Sequence, residues 1–139
     1  MGARLFLLGD GEVLDALAEL AGRLRYAEVH RSDDPPRAPI TLGAEDYVVV
    51  AARDSKRARE LLAAVLGAGD PAYLGLVATE KETLVALLKL HADRVSKVRL
   101  DRISAPAGHA TGAETVDEQA IAVAAELIAA RRKLPSSQQ

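Results

Sequence analysis

The stretch Arg4-Leu5-Phe6-Leu7-Leu8-Gly9-Asp10-Gly11-Glu12-Val13-Leu14 decides the fold. Leu5 to Leu8 form a short, uniformly apolar run that stops at a glycine turn. That is the pattern of an internal strand of a parallel sheet, covered on both faces. From Val13 the spacing changes, and Val13, Leu14, Ala16, Leu17, Leu20, Ala21 and Leu24 recur at helical intervals. The chain therefore opens as strand, glycine turn, helix.

The same alternation continues outward. Tyr26 to His30 reads as a second strand, and Arg31 to Gly43, with Pro35, Pro36 and Pro39, as an extended loop. Tyr47-Val48-Val49-Val50-Ala51 is a strand of β-formers. Asp54 caps a helix that turns Ala58, Leu61, Leu62 and Val65 inward and ends near Gly67, Gly69 and Pro71. Tyr73 to Val77 is a fourth strand. Thr79-Glu80-Lys81-Glu82 is a capping box opening a helix with Leu84, Leu87, Leu88 and His91 at helical spacing. Val95 to Arg102 reads as a turn of helix before a strand at Ile103. Thr115-Val116-Asp117-Glu118 repeats the capping box and opens the longest helix, with Ile121, Ala125 and Ile128 along one stripe and Arg131-Arg132-Lys133 at its C-terminus. The expected fold is α/β: a Rossmann-like three-layer sandwich, with a mostly parallel sheet of about five strands and helices on both faces. One domain covers 1–133, with a disordered tail over 134–139.

Composition agrees. Hydrophobic residues make up 49% and aromatic residues 3% of the 139 residues, so the core is aliphatic, as in helices packed on a parallel sheet. A net charge of −2 offers no basic excess for a nucleic-acid backbone. No cysteine is present, which removes disulfides, thiolate chemistry and Cys-based metal sites and suits a cytoplasmic protein. No apolar run reaches bilayer length, and the N-terminal one is too short for a signal-peptide core.

The first candidate site is the turn Gly9-Asp10-Gly11-Glu12-Val13. A glycine turn at a helix N-terminus presents backbone N–H donors and a positive dipole end to phosphate. The dinucleotide fingerprint is incomplete, because Leu14 stands where its third glycine would be, and Asp10 and Glu12 add negative charge. An acidic residue usually ends strand two in NAD sites. Here the stretch is His30-Arg31-Ser32, and Arg31 suits a 2′-phosphate, as in NADP sites. The bland reading of the turn is a capped structural connection.

The second candidate region joins Ala78, Thr79 and Lys81, after strand four, to Gly108, His109 and Gly112 in the run Ala105-Pro106-Ala107-Gly108-His109-Ala110-Thr111-Gly112-Ala113-Glu114-Thr115. These turns and the Gly9–Gly11 turn would meet on the carboxyl edge of the sheet. Lys81 would lend charge, and the helix starting at Thr115 would lend N–H donors. A capping role alone also accounts for Thr115 and Glu118. His30 and His91 lack partner ligands for zinc, and no catalytic triad or carboxylate pair can be assembled.

The proline, the two glycines four apart and Gly112-Ala113-Glu114-Thr115 opening an Ala/Ile-rich helix resemble the C-terminal domain of the xanthine dehydrogenase accessory factor family (XdhC/CoxI). That family commonly has A-P-I-G-L-D-I-G-A-E-T in this position, G-A-G-H-V after strand one and Y-x-G-L-L-G-S-R-R-K after strand four. In this chain Glu12 replaces the family's histidine, Ala78-Thr79-Glu80-Lys81 lacks its two arginines, and His109-Ala110 replaces its Leu-Asp pair. The resemblance spans about residues 4 to 133. It implies a Rossmann-like fold and a role in maturing molybdenum hydroxylases such as xanthine or carbon monoxide dehydrogenase. By the same resemblance the domain would bind the molybdenum cofactor and serve a hydroxylase apo-enzyme, with a cysteine desulfurase as sulfur donor. The expected function is that of a binding or chaperone module rather than an enzyme. The alternatives are an NADP-binding reductase or nucleotide-sensing domain, and an interaction subunit, working as a homodimer or with a partner, whose nucleotide site has decayed.

Overall fold

A computed structural model describes residues 2–33, 41–108 and 112–133. The elements run β1 (Arg4–Gly9), α1 (Glu12–Ala21), β2 (Glu28–Ser32), β3 (Asp46–Ala51), α2 (Ser55–Ala68), β4 (Tyr73–Val77), α3 (Glu80–Ala92), α4 (Lys97–Asp101), β5 (Ile103–Ser104) and α5 (Val116–Arg132). All strand pairs are parallel, in the order β2-β1-β3-β4-β5. β1 is internal, as its continuous apolar run requires. Among the described residues no helix is long and apolar enough to cross a membrane.

Side chains alternate across the sheet. Leu5, Leu7, Tyr47, Val49 and Tyr73 point to one face, where Leu14 and Leu17 of α1 meet Val123 and Leu127 of α5. Phe6, Leu8, Val48, Val50, Leu74 and Leu76 point to the other, under Leu61, Leu62 and Val65 of α2, Ala86 and Leu90 of α3 and Leu100 of α4. Each fully buried leucine contributes roughly 1.5–3 kcal/mol of transfer free energy. At the amino end of the sheet the buried carboxylate of Asp46 accepts from Arg4 Nε at 2.7 Å, Arg4 Nη2 at 2.9 Å and Gly43 N at 2.8 Å.

The helix caps follow the sequence. Asp54 accepts from Lys56 N, and Thr79/Glu82 and Thr115/Glu118 close complete capping boxes. One expectation is corrected, and two stripes are given their direction. The second strand lies two residues later, at Glu28–Ser32, so Arg31 is a strand residue and not part of a loop. In α3 the stripe of Leu84, Leu88 and His91 faces outward, with Leu84 59% and Leu88 60% exposed, while Thr83, Ala86 and Leu90 are buried. In α5, Ile121, Ala125 and Ile128 are exposed, and Ala120, Val123, Ala124 and Leu127 are buried. Both helices set small side chains against their neighbours, which lets the backbones approach closely. The proposed tail at 134–139 lies outside the described residues, as do 34–40 of the proline-rich loop.

Candidate functional site

In this strand order the chain leaves β1 and β3 toward opposite faces, so a crevice opens between their carboxyl ends. The Gly9–Gly11 turn forms one wall. Gly9 sits at φ +114 with its backbone pressed on β3, and a Cβ there would stand 1.7 Å from Ala51 O. Asp10 N donates to that same carbonyl at 2.9 Å. Gly11 is the N-cap of α1 and makes no side-chain cap hydrogen bond, and a Cβ on it would meet nothing within 4 Å. The first N–H groups of α1 therefore face open space, under the positive end of the helix dipole. Val13, by contrast, is buried in the core beneath the helix and offers only its backbone.

Two cations flank this turn. Arg31, at the end of β2, donates from Nη1 to Gly9 O at 2.7 Å, and its Nη2 lies 3.4 Å from Asp15 Oδ1. Arg53 follows β3 on the other wall, and its backbone N donates to Asp10 Oδ1 at 3.0 Å. Asp10 therefore laces the two walls together with its own carboxylate. Glu12 turns away into a groove of about 580 Å³ between α1 and the start of α5, lined by Glu12, Asp15, Glu19, Thr115, Val116 and Asp117. Sequence reasoning missed Arg53. The available signal was its place immediately after the clearest strand, opposite the glycine turn.

The second candidate region is assembled in part. Ala78 and Thr79 share a cleft of about 440 Å³ with Gly108 and Gly112, together with Glu80, Glu82, Pro106 and Gln119. Lys81 is exposed and does not line this cleft, and His109 lies outside the described residues. The Gly9–Gly11 turn does not line it either, so the three turns share a rim but not a cavity. Part of the helix-end donor set is already used on both sides. Thr79 N and Glu82 N are satisfied within the α3 capping box. At α5, Glu114 N and Thr115 N donate to Glu118 Oε1 at 2.9 and 3.1 Å, which holds the Glu118 carboxyl below the usual carboxylate range. Of the donors expected from the helix starting at Thr115, Glu118 N is spent on Thr115 Oγ1 at 3.1 Å, while Val116 and Asp117 line the groove shared with α1.

What braces this rim is Glu126, unremarked in the sequence because it sits inside an apolar helix. Its Oε1 accepts from Tyr73 Oη at 2.7 Å and Ser104 Oγ at 2.6 Å, and its Oε2 accepts from Gly108 N at 2.7 Å. Burial, then the neighbouring Glu126 charge, pushes the Tyr73 phenol well above its ordinary pKa, so it stays a donor. At the opposite, amino edge of the sheet, Tyr47, Tyr73, Arg99, Arg102 and Lys133 border a cavity of about 490 Å³. Arg99 is committed there to Leu66 O and Gly69 O, both at 2.8 Å, and to Asp70 at 3.0 Å. No group of three or more potential metal ligands occurs among the described residues.

The family model of the XdhC Rossmann domain matches residues 5–127. The chain belongs to the XdhC family. This XdhC domain is 30% identical over a 158-residue alignment to the uncharacterized protein YqeB of Escherichia coli (strain K12), covering 97% of the chain and 28% of YqeB. It also superposes with a TM-score of 0.74 and 19% identity on a Bacillus halodurans protein described as a xanthine dehydrogenase, over 99% of the chain and 45% of that protein. The domain thus spans less than half the length of either relative, and the structural match speaks for the fold.

Proposed function

We propose that this XdhC domain is an accessory binding module in the maturation of molybdenum hydroxylases. It would hold a phosphorylated, nucleotide-like group, the molybdenum cofactor first among candidates, at the start of α1. The reading of role rests on family membership and on the xanthine dehydrogenase name carried by the Bacillus halodurans relative. The reading of the ligand rests on one observation: a helix N-terminus without a side-chain cap at the β1/β3 crevice, with the Arg31 guanidinium anchored at its mouth. The groups that would hold a phosphate are the backbone N–H groups of Gly11 and Glu12 and the Arg31 side chain. When bound, the cofactor would supply the molybdenum centre that a hydroxylase apo-enzyme needs, with a cysteine desulfurase as sulfur donor. A cytoplasmic location suits that role.

Calorimetric titration with molybdenum cofactor, NADPH and NADH tests the reading. Saturable binding of the cofactor, weakened about tenfold or more by Arg31→Ala through loss of a charge-assisted contact and unchanged by Lys81→Ala, is the expected result. Flat traces with all three ligands would sink it. NADPH binding in preference to both others would transfer the same site to a reductase or nucleotide-sensing role.

A second reading is favoured by the Asp10–Arg53 bond. Asp10 supplies the crevice with an anion of its own, as expected of an interaction subunit whose nucleotide site has decayed. If so, replacing Asp10 with Ala and Glu12 with His creates no affinity. A gain of phosphate-ligand binding would mean that the carboxylates merely mask a working site.

A further inference from the structure

The outward stripe of α5 reads Asp117, Ile121, Ala125, Ile128, Arg132, and every one of these residues is exposed. Ile121 is 59% and Ile128 42% exposed, an apolar pair on one stripe of a helix whose opposite side is core. The spacings of four, four, three and four residues keep all five on one face of a 3.6-residue helix. The stripe is also antisymmetric. The midpoint of Ile121 and Ile128 is the midpoint of Asp117 and Arg132, and it falls between Ala124 and Ala125. Among the described residues neither Asp117 nor Arg132 has an ion-pair partner within its own chain.

We propose that this face of α5 is a docking surface for a second copy of the chain, packed antiparallel about a twofold axis at Ala125. Isologous contact demands self-complementarity. In this pairing Ile121 of each copy opposes Ile128 of the other, and Asp117 opposes Arg132 at both ends, about 22 Å apart along the helix. Small Ala125 at the crossing lets the backbones approach. A parallel arrangement would set Asp117 against Asp117 and Arg132 against Arg132, so the charge pattern selects the antiparallel copy. The surroundings of Asp117 add a second argument. Asp117 lines the acidic groove with Glu12, Asp15 and Glu19, so the basic end of the second copy, Arg132 and Lys133, meets a concentrated negative field. One helix face is smaller than the roughly 800 Å² per partner of a stable interface. The dimer is therefore weak, with a dissociation constant on the order of tens of micromolar, and weakens further with salt.

Sedimentation velocity of the 139-residue chain at concentrations from about 5 to about 500 µM, bracketing that constant, tests this. Circular dichroism checks that each variant is folded. The wild-type chain should shift from monomer to dimer with concentration, and Ile121→Lys should stay monomeric. Asp117→Arg and Arg132→Asp should each weaken self-association about tenfold. An equimolar mixture of these two variants should associate at least as strongly as wild type, because every end pair is then opposite in charge. A wild-type chain that is monomeric throughout overturns the proposal. So does a dimer that survives Ile121→Lys, which would place the contact elsewhere, for instance on the Leu84/Leu88 face of α3. A mixture that associates no better than either variant alone overturns it as well.

Discussion

At the residue scale, Gly9 and Gly11 separate two meanings of a glycine turn. Both have φ near +115, but a Cβ at Gly9 would collide with Ala51 O whereas one at Gly11 would meet nothing. Gly9→Ala should therefore cost about 3 kcal/mol or more, combining φ strain with a forced separation of β1 from β3. Gly11→Ala should cost about 1 kcal/mol of φ strain alone, and urea denaturation of the two variants measures the difference. Asp46 makes a second residue-scale prediction. Burial raises its carboxyl, but the hydrogen bonds from Arg4 and Gly43 and the Arg4 charge outweigh burial and hold it below the ordinary value. The unfolded chain then binds the proton more readily than the folded one. The stabilisation is present above about pH 4, the unfolded value, and is lost as pH falls through the lower folded value. Asp46→Asn should cost about 2 kcal/mol at pH 7 and flatten the acid limb of a stability-against-pH curve.

At the scale of elements, α5 holds the second candidate region together through one polar residue. Glu126 accepts from β4, from β5 and from the backbone of Gly108, so three segments depend on a single carboxylate. Glu126→Gln replaces an acceptor oxygen with an NH₂ that faces donors. It should cost about 2 kcal/mol, because at least one partly buried donor loses its partner. Chemical denaturation measures the loss, and faster amide exchange at Gly108 would localise it. The same helix shows why periodicity leaves its orientation open. Ile121, Ala125 and Ile128 are at least as apolar as Ala120, Val123, Ala124 and Leu127. Periodicity finds the helix but does not choose between two apolar faces. The choice falls to close packing: Gly108 lies so near α5 that a Cβ on it would be 2.9 Å from the Ala122 methyl.

At the scale of the whole molecule, the strand order puts β1 and β3 side by side and β4 and β5 beyond them, so the rim carries separate concavities rather than one. A ligand held at α1 would not touch the Ala78–Gly112 cleft, and variants there should leave its affinity unchanged. At a ligand concentration of a hundred times the dissociation constant, binding to the folded state adds about 2.7 kcal/mol. For a domain of this size that corresponds to a rise in melting temperature of roughly 10 °C. Thermal unfolding of wild type and Arg31→Ala with the cofactor checks it: a tenfold loss of affinity leaves about 1.4 kcal/mol, so the rise should fall to roughly 5 °C or less in the variant.

Much of this was written in local patterns. The glycine-ended apolar run of β1, the β-formers of β3, the two Thr-x-x-Glu boxes and Asp54 specify elements by interactions within a few residues, and a single chain displays those directly. The resemblance carried by Gly112-Ala113-Glu114-Thr115 agrees with the family match. Other features depend on partners far apart in the chain: Arg31 on the carbonyl of Gly9, Asp10 on Arg53, Glu126 on Tyr73 and Gly108, and the outward turn of Ile121 and Ile128. Hydrogen bonds and steric fit act over a few ångströms in space, whatever the separation in sequence. Only the folded arrangement could decide which polar groups are spent on one another and which still face open crevice.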